Sequence, residues 1–156
     1  MALPALAKVS DPGLDETSKT LTQEQINKVI SNVVDKETAA RFETYLSTCV
    51  HCGLCSDACH WFLSNARDPR FSPVGKVKQT LWEILRRKGK VDQELLRDCS
   101  RIAHTECNVC RRCSMYCPFG IDIAYLLLTV RRICSLLGVV PQFLQDTVNS
   151  HAVTMN

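Results

Sequence analysis

The chain has 156 residues, 46% of them hydrophobic, with a net charge of +3 and an isoelectric point near 8.3, which supports one compact domain with an ordinary core. The charge is mild, and its basic cluster of Lys76, Lys78, Arg86, Arg87 and Lys88 comes with no groove-reading motif or aromatic stacking platform, so nucleic acid is excluded as the expected partner. The longest apolar run, Ile123 to Val130, stops at Arg131 and Arg132, far short of the roughly 20 residues of a membrane span.

Met1 to Leu21 mixes Pro4, Pro12, Gly13 and small polar residues without a period, and reads as a tail, 1–21, that orders on a partner. From 22 to 156 the pattern is helical throughout. Thr22 and Gln25 form a capping box ahead of Ile26, Val29, Ile30 and Val33 at helical spacing. Asp35 is the next N-cap, for a helix through Phe42, Tyr45 and Leu46 that delivers the chain to Cys49. After a cysteine run, His60-Trp61-Phe62-Leu63 predicts an apolar helical turn, broken by Asp68-Pro69-Arg70-Phe71-Ser72-Pro73. Ser72 caps and Pro73 starts a helix carrying Val77, Leu81, Ile84 and Leu85 on one face, with Gly89 as its stop. Its basic residues are expected on a solvated face or one that meets an acidic partner. Asp92 caps a helix bearing Leu95, Leu96, Cys99 and Ile102, which leads into a second cysteine run. Beyond it, Asp122 caps Ile123 to Leu137, Gly138 ends that helix, and Pro141 starts a last amphipathic segment around Phe143, Leu144 and Val148. The apolar positions Ile121, Tyr125, Leu128, Val139, Val140, Phe143 and Leu144 exceed what a small helical core needs, and part of this stretch is expected to meet a partner subunit.

The chemistry lies in the two runs, Cys49-Val-His-Cys52-Gly-Leu-Cys55-Ser-Asp-Ala-Cys59 and Cys107-Asn-Val-Cys110-Arg-Arg-Cys113-Ser-Met-Tyr-Cys117-Pro118. Each reads C-x2-C-x2-C-x3-C, the spacing by which one tight loop grips three irons of a cubane, and two copies predict two 4Fe-4S clusters. In two-cluster ferredoxins the fourth cysteine of each run serves the other cluster, so the expected sets are Cys49, Cys52, Cys55 with Cys117, and Cys107, Cys110, Cys113 with Cys59. Structural zinc has no use for a third cysteine at the same short interval. A radical enzyme that cleaves adenosylmethionine uses a C-x3-C-x2-C run with one iron left open, and needs a longer chain. Met1 to Ser10 lacks the basic start and apolar region of a secretory leader, so a reducing cytoplasm rather than a disulfide framework is expected. Arg111 and Arg112 sit inside the second loop, where they would stabilise a reduced cluster or form a solvated face. Cys99 and Cys134 fall outside both runs, at apolar-face positions, and read as small buried hydrophobes.

With a long helical span between its runs, the region from Phe42 to Gln145 resembles the alpha-helical ferredoxin family. The two runs, with Pro118-Phe119-Gly120-Ile121-Asp122 after the second, look like the small iron-sulfur subunit of heterodisulfide reductase. His60-Trp61-Phe62-Leu63 with Asp68-Pro69 looks like the iron-sulfur portions of related membrane-linked respiratory reductases. The resemblance implies an all-α, alpha-helical ferredoxin-like domain that relays single electrons between a flavin-containing or ferredoxin-type donor and a catalytic subunit with a Cys-Cys-Gly domain, without turnover of its own. It also implies, as a runner-up, exchange with a b-type haem membrane cytochrome and quinone. A non-redox assembly module is the third reading. The departures are informative: these residues contain no adjacent cysteine pair, so the Cys-Cys-Gly domain is expected on another polypeptide, and His60 stands where the family has a proline, as a hydrogen-bonding or capping residue rather than a ligand. Any membrane association is expected to run through partners.

Overall fold

The computed structural model describes residues 21–88 and 90–154; residues 1–20 of the expected tail and the helix stop at Gly89 lie outside the described residues. Among the described residues the chain is helical with no strand, in agreement with the all-α expectation. Helix α1, Gln23–Val33, opens with the predicted capping box, Thr22 Oγ1 accepting from the Gln25 amide and Gln25 Oε1 accepting from the Thr22 amide at 3.0 Å. It buries Ile26, Ile30 and Val33. Helix α2, Lys36–Thr48, is capped by Asp35, which accepts from the Thr38 amide at 2.8 Å. Its one buried residue, Phe42, sits with its ring 5.8 Å from that of Tyr125, so α2 is anchored at mid-length and hands the chain to Cys49 in an extended conformation.

Two short helices follow the first cysteine loop, α3 at Leu54–Asp57 and α4 at His60–Ser64, and then a 3-10 turn at Pro69–Phe71 whose N-cap is Asp68. Ser72 caps helix α5, Pro73–Val77, by accepting from the Gly75 amide at 2.9 Å, with Pro73 in the first position. The expected single helix then widens into a π-helical stretch, Lys78–Trp82, before resuming as α6, Glu83–Arg86. Thr80, fully buried inside that stretch, donates its hydroxyl to the Lys76 carbonyl at 2.7 Å, which satisfies it inside the core. Val77, Leu81 and Ile84 nonetheless all face the core. Helix α7, Gln93–His104, is capped by Asp92 on the Leu95 amide at 2.8 Å and buries Leu95, Leu96, Cys99, Ile102 and Ala103.

The second cysteine loop leads through α8, Arg112–Met115, to α9, Ile123–Leu136. Helix α9 is the spine of the fold: it packs against α1, α5, the π-helical stretch, α7 and α8, and buries residues around most of its circumference, as a central helix must. Gly138, at φ 72°, turns the chain out of it. The last helix, α10, Gln142–Thr154, buries none of its residues. The surplus of apolar side chains expected near this end therefore divides. Ile121 and Val139 are core, Tyr125 packs on Phe42, and Leu128 and Phe143 are exposed. No helix among the described residues is long and apolar enough to cross a membrane.

Candidate metal centres

The two cysteine loops repeat one backbone path. In the first, His51 and Gly53 have φ of 55° and 88°; in the second, the matching Val109 and Arg111 have φ of 51° and 63°. A left-handed residue one step before and one step after the middle cysteine curls each loop tightly, so that the three thiols spaced by x2 share one concavity. For a β-branched Val109 this conformation is unfavourable, at about 1–2 kcal/mol, and it is held by the structure around it. The Val109 amide donates to Cys107 Sγ at 3.4 Å, and Asp122 clamps the far side of the second loop. Its carboxylate accepts from the Ser114 hydroxyl at 2.7 Å, from the Tyr125 amide at 3.1 Å as the cap of α9, and from the Arg111 guanidinium.

Each concavity is completed by a cysteine from the other run. One cavity, of about 270 Å³, is lined by Cys49, Cys52, Cys55 and Cys117; the other, tighter at about 30 Å³, is lined by Cys59, Cys107, Cys110 and Cys113. Cys52 and Cys110 are the exposed members, one per set. Burial pushes the Cys55 thiol up, with Cys49, Cys52 and Cys117 adding to the effect. Burial likewise pushes Cys113 up to about 11, and both Cys107 and, from across the gap, Cys55 contribute. The two sets are therefore neighbours. Helix α5 with its two flanking residues runs between them: Ser72, Val74, Gly75 and Lys78 line the first cavity, Pro73 and Lys76 the second.

Among the described residues no three of His, Cys, Asp and Glu are arranged around a single metal ion. A zinc site draws its sulfurs to about 2.3 Å from one centre, whereas a cubane takes one thiolate on each of four irons. Four thiols per set fit a 4Fe-4S cluster. So does Trp61 in the lining of the second cavity: among the described residues its buried Nε1 has no hydrogen-bond partner, and a sulfur acceptor within reach would satisfy it.

Several residues behave otherwise than the sequence suggested. Lys76, expected on a solvated face, is only 2% exposed; its ammonium lies 5.8 Å from the Trp61 ring centroid and donates to the Glu106 carbonyl. The helical period that places Val77 and Leu81 inside also turns Lys76 inward, and a lysine has no apolar signature to announce it. Arg86 and Arg87 do sit at the surface side, paired with Glu83 and Asp92. Arg131, which ends the apolar run, has no sequence signal for what it does. It donates to the Ala103 carbonyl at 2.6 Å and to the Cys107 carbonyl, tying α9 to the entry of the second loop. Gly75 is equally silent in the sequence: a Cβ there would lie 2.2 Å from the Pro69 carbonyl oxygen. His60 is exposed at the start of α4, beside the second cavity. Cys99 and Cys134 line neither cavity. Both are fully buried, and burial holds Cys99 well above the usual thiol range and pushes Cys134 up to about 12, as inert core thiols.

Residues 45–121 match the family described as 4Fe-4S dicluster domain. This segment belongs to that family. The dicluster domain contains all eight cysteines of the two runs. Two curated relatives extend the likeness: the "Hdr-like menaquinol oxidoreductase iron-sulfur subunit 2" of Archaeoglobus fulgidus and the "Hdr-like menaquinol oxidoreductase iron-sulfur subunit" of Archaeoglobus profundus. Each is 30% identical over 129 residues, covering 74% of this chain and 23% of the relative. The chain thus spans about a quarter of the length of these relatives, and the resemblance to heterodisulfide-reductase-like iron-sulfur subunits rests on the dicluster domain and its flanks. No solved structure matches it.

Proposed function

We propose that the chain is the one-electron relay of a heterodisulfide-reductase-like oxidoreductase complex, with Cys49, Cys52, Cys55 and Cys117 holding one 4Fe-4S cluster and Cys59, Cys107, Cys110 and Cys113 the other. The observation that carries this reading is the pair of adjacent four-thiol cavities, each closed by a cysteine from the opposite run. When bound, such clusters accept and release single electrons. The chain's own residues position and insulate them. Crossed ligation ties residue 117 to residue 49 and residue 59 to residue 107, so loop spacing is fixed from both ends. The core of α7 and α9 backs the second loop through Arg131, and α5 separates the sites. Each cavity presents one exposed cysteine to the surface, beside exposed Val50, Leu54, Met115 and Phe119, a suitable edge for a partner's redox centre to approach.

A catalytic Cys-Cys-Gly-domain subunit on one side and a flavin-containing or ferredoxin-type donor on the other are the partners of this reading. Exchange with a quinol through a b-type haem subunit is the second, favoured by the menaquinol oxidoreductase named in both relatives. Ligation is tested with Cys117→Ser. The signal it abolishes in electron paramagnetic resonance should be the one abolished by Cys52→Ser in the first loop, although residue 117 belongs to the second run. Loss of the signal abolished by Cys110→Ser instead would favour sequential ligation. Cluster absorbance that bleaches with dithionite separates the relay from a purely structural module.

A further inference from the structure

The two cavities differ in the charge that faces them. Among the described residues lining the first, Lys78 is the one Lys, Arg, Asp or Glu, and it is exposed. The second is lined by Lys76, Glu106, Arg111 and Arg112. Arg111 is paired with Asp122 at the surface, Arg112 is exposed, and the buried Glu106 carboxylate is met by Arg101. Lys76 remains. It is 2% exposed, its ammonium hydrogen-bonded to a backbone carbonyl and set against the Trp61 ring; among the described residues no carboxylate forms a salt bridge with it, and the Glu106 carboxylate feels its charge less than that of Arg101. A cation withdrawn from water is weakly screened, so its field on a neighbouring site is far larger than that of a surface lysine.

We infer that Lys76 is a positioning residue for charge, which together with Trp61 sets the reduction potential of the cluster in the second cavity above that of the first. The inference rests on the relay reading and adds an order to it. An oxidised cubane with four thiolates carries a charge of about −2, and one added electron makes it more negative; a fixed positive charge beside it favours the reduced form. An N–H donor to sulfur acts in the same direction, and Trp61, whose buried Nε1 has no hydrogen-bond partner among the described residues, lines the same cavity. Each set presents one exposed cysteine, Cys52 or Cys110. An electron supplied by a reduced partner and shared between the two clusters comes to rest on the second.

The test is a redox titration of the complete, cluster-loaded chain followed by electron paramagnetic resonance, with the second-loop signal assigned through Cys110→Ser. That assignment holds whether ligation is crossed or sequential, so a failure of the ligand sets and a failure of this inference are distinguishable. In Lys76→Met the ratio of reduced to oxidised second cluster at fixed potential should fall at least tenfold, a shift of about 59 mV for a one-electron couple, while the first cluster keeps its midpoint. Lys76→Arg should keep most of the wild-type value, and Trp61→Phe, which retains the ring and loses the donor, should shift the same signal in the same direction by less. Unchanged midpoints, an equal shift in both clusters, or an equal shift in Lys76→Arg and Lys76→Met would overturn the inference. Loss of iron in all three variants would do so as well, by making both residues part of the scaffold.

Discussion

At the scale of single residues, the second loop depends on groups that never touch a thiol. His104, at the end of α7, is half-buried, with its Nδ1 3.1 Å from the Ser100 carbonyl oxygen. Burial holds its ring below the ordinary value of 6.5, and the nearby Arg131 guanidinium pushes the same way against that backbone bond. The folded chain therefore binds fewer protons at His104 than the unfolded chain does, so this group contributes stability above pH 6.5 that is lost as pH falls through 6.5 toward the depressed folded value. Melting curves taken between about pH 8 and pH 5 should show wild type losing stability faster than His104→Gln on the acid side; parallel curves would remove this role. None of this was legible in the sequence, because a histidine three residues before a cysteine run looks the same whether its ring is buried or free. Arg131 and Lys76 share that opacity. Their side chains act on backbone carbonyls 24 and 30 residues away, and no local pattern records such a partner.

At the scale of elements, the caps were readable and the irregularities were not. Thr22, Asp35, Ser72, Asp92 and Asp122 all cap where the sequence placed them, since a short polar side chain ahead of a helical period has a local mechanism. The π-helical widening after α5 follows a helical period that gives no sign of it. Gly75 is the second such case. Its missing side chain lets α5 press against the 3-10 turn, with Pro69 and Ser72 of that contact also lining the first cavity. Gly75→Ala would place its Cβ 2.2 Å from the Pro69 carbonyl oxygen and 2.8 Å from Ser72 Oγ, so the turn must move. The expected cost is about 1–3 kcal/mol of stability, as for overpacking elsewhere, together with disturbance of the first cluster's signal before the second's. A variant with wild-type melting and both signals intact would show that α5 has room this geometry denies it.

At the scale of the whole molecule, the sequence carried the cysteine sets further than it carried the packing around them. Identical spacing in the two runs is a local fact that dictates two like loops, and the left-handed residues around Cys52 and Cys110 repeat accordingly. What lay beyond it was the use of α9 as a spine and the burial of Ile121 and Val139 at the end expected to meet a partner; both are settled by which helices meet, which periodicity alone does not state. The central claim is that this one chain holds two 4Fe-4S clusters in its two cavities, and iron and acid-labile sulfide analysis of the anaerobically reconstituted chain, read beside its electron paramagnetic resonance after full reduction, tests it most directly. The account predicts about eight irons and about eight sulfides per chain with signals from two interacting clusters. About four irons with a single isolated signal, or zinc in place of iron and sulfide, would contradict it.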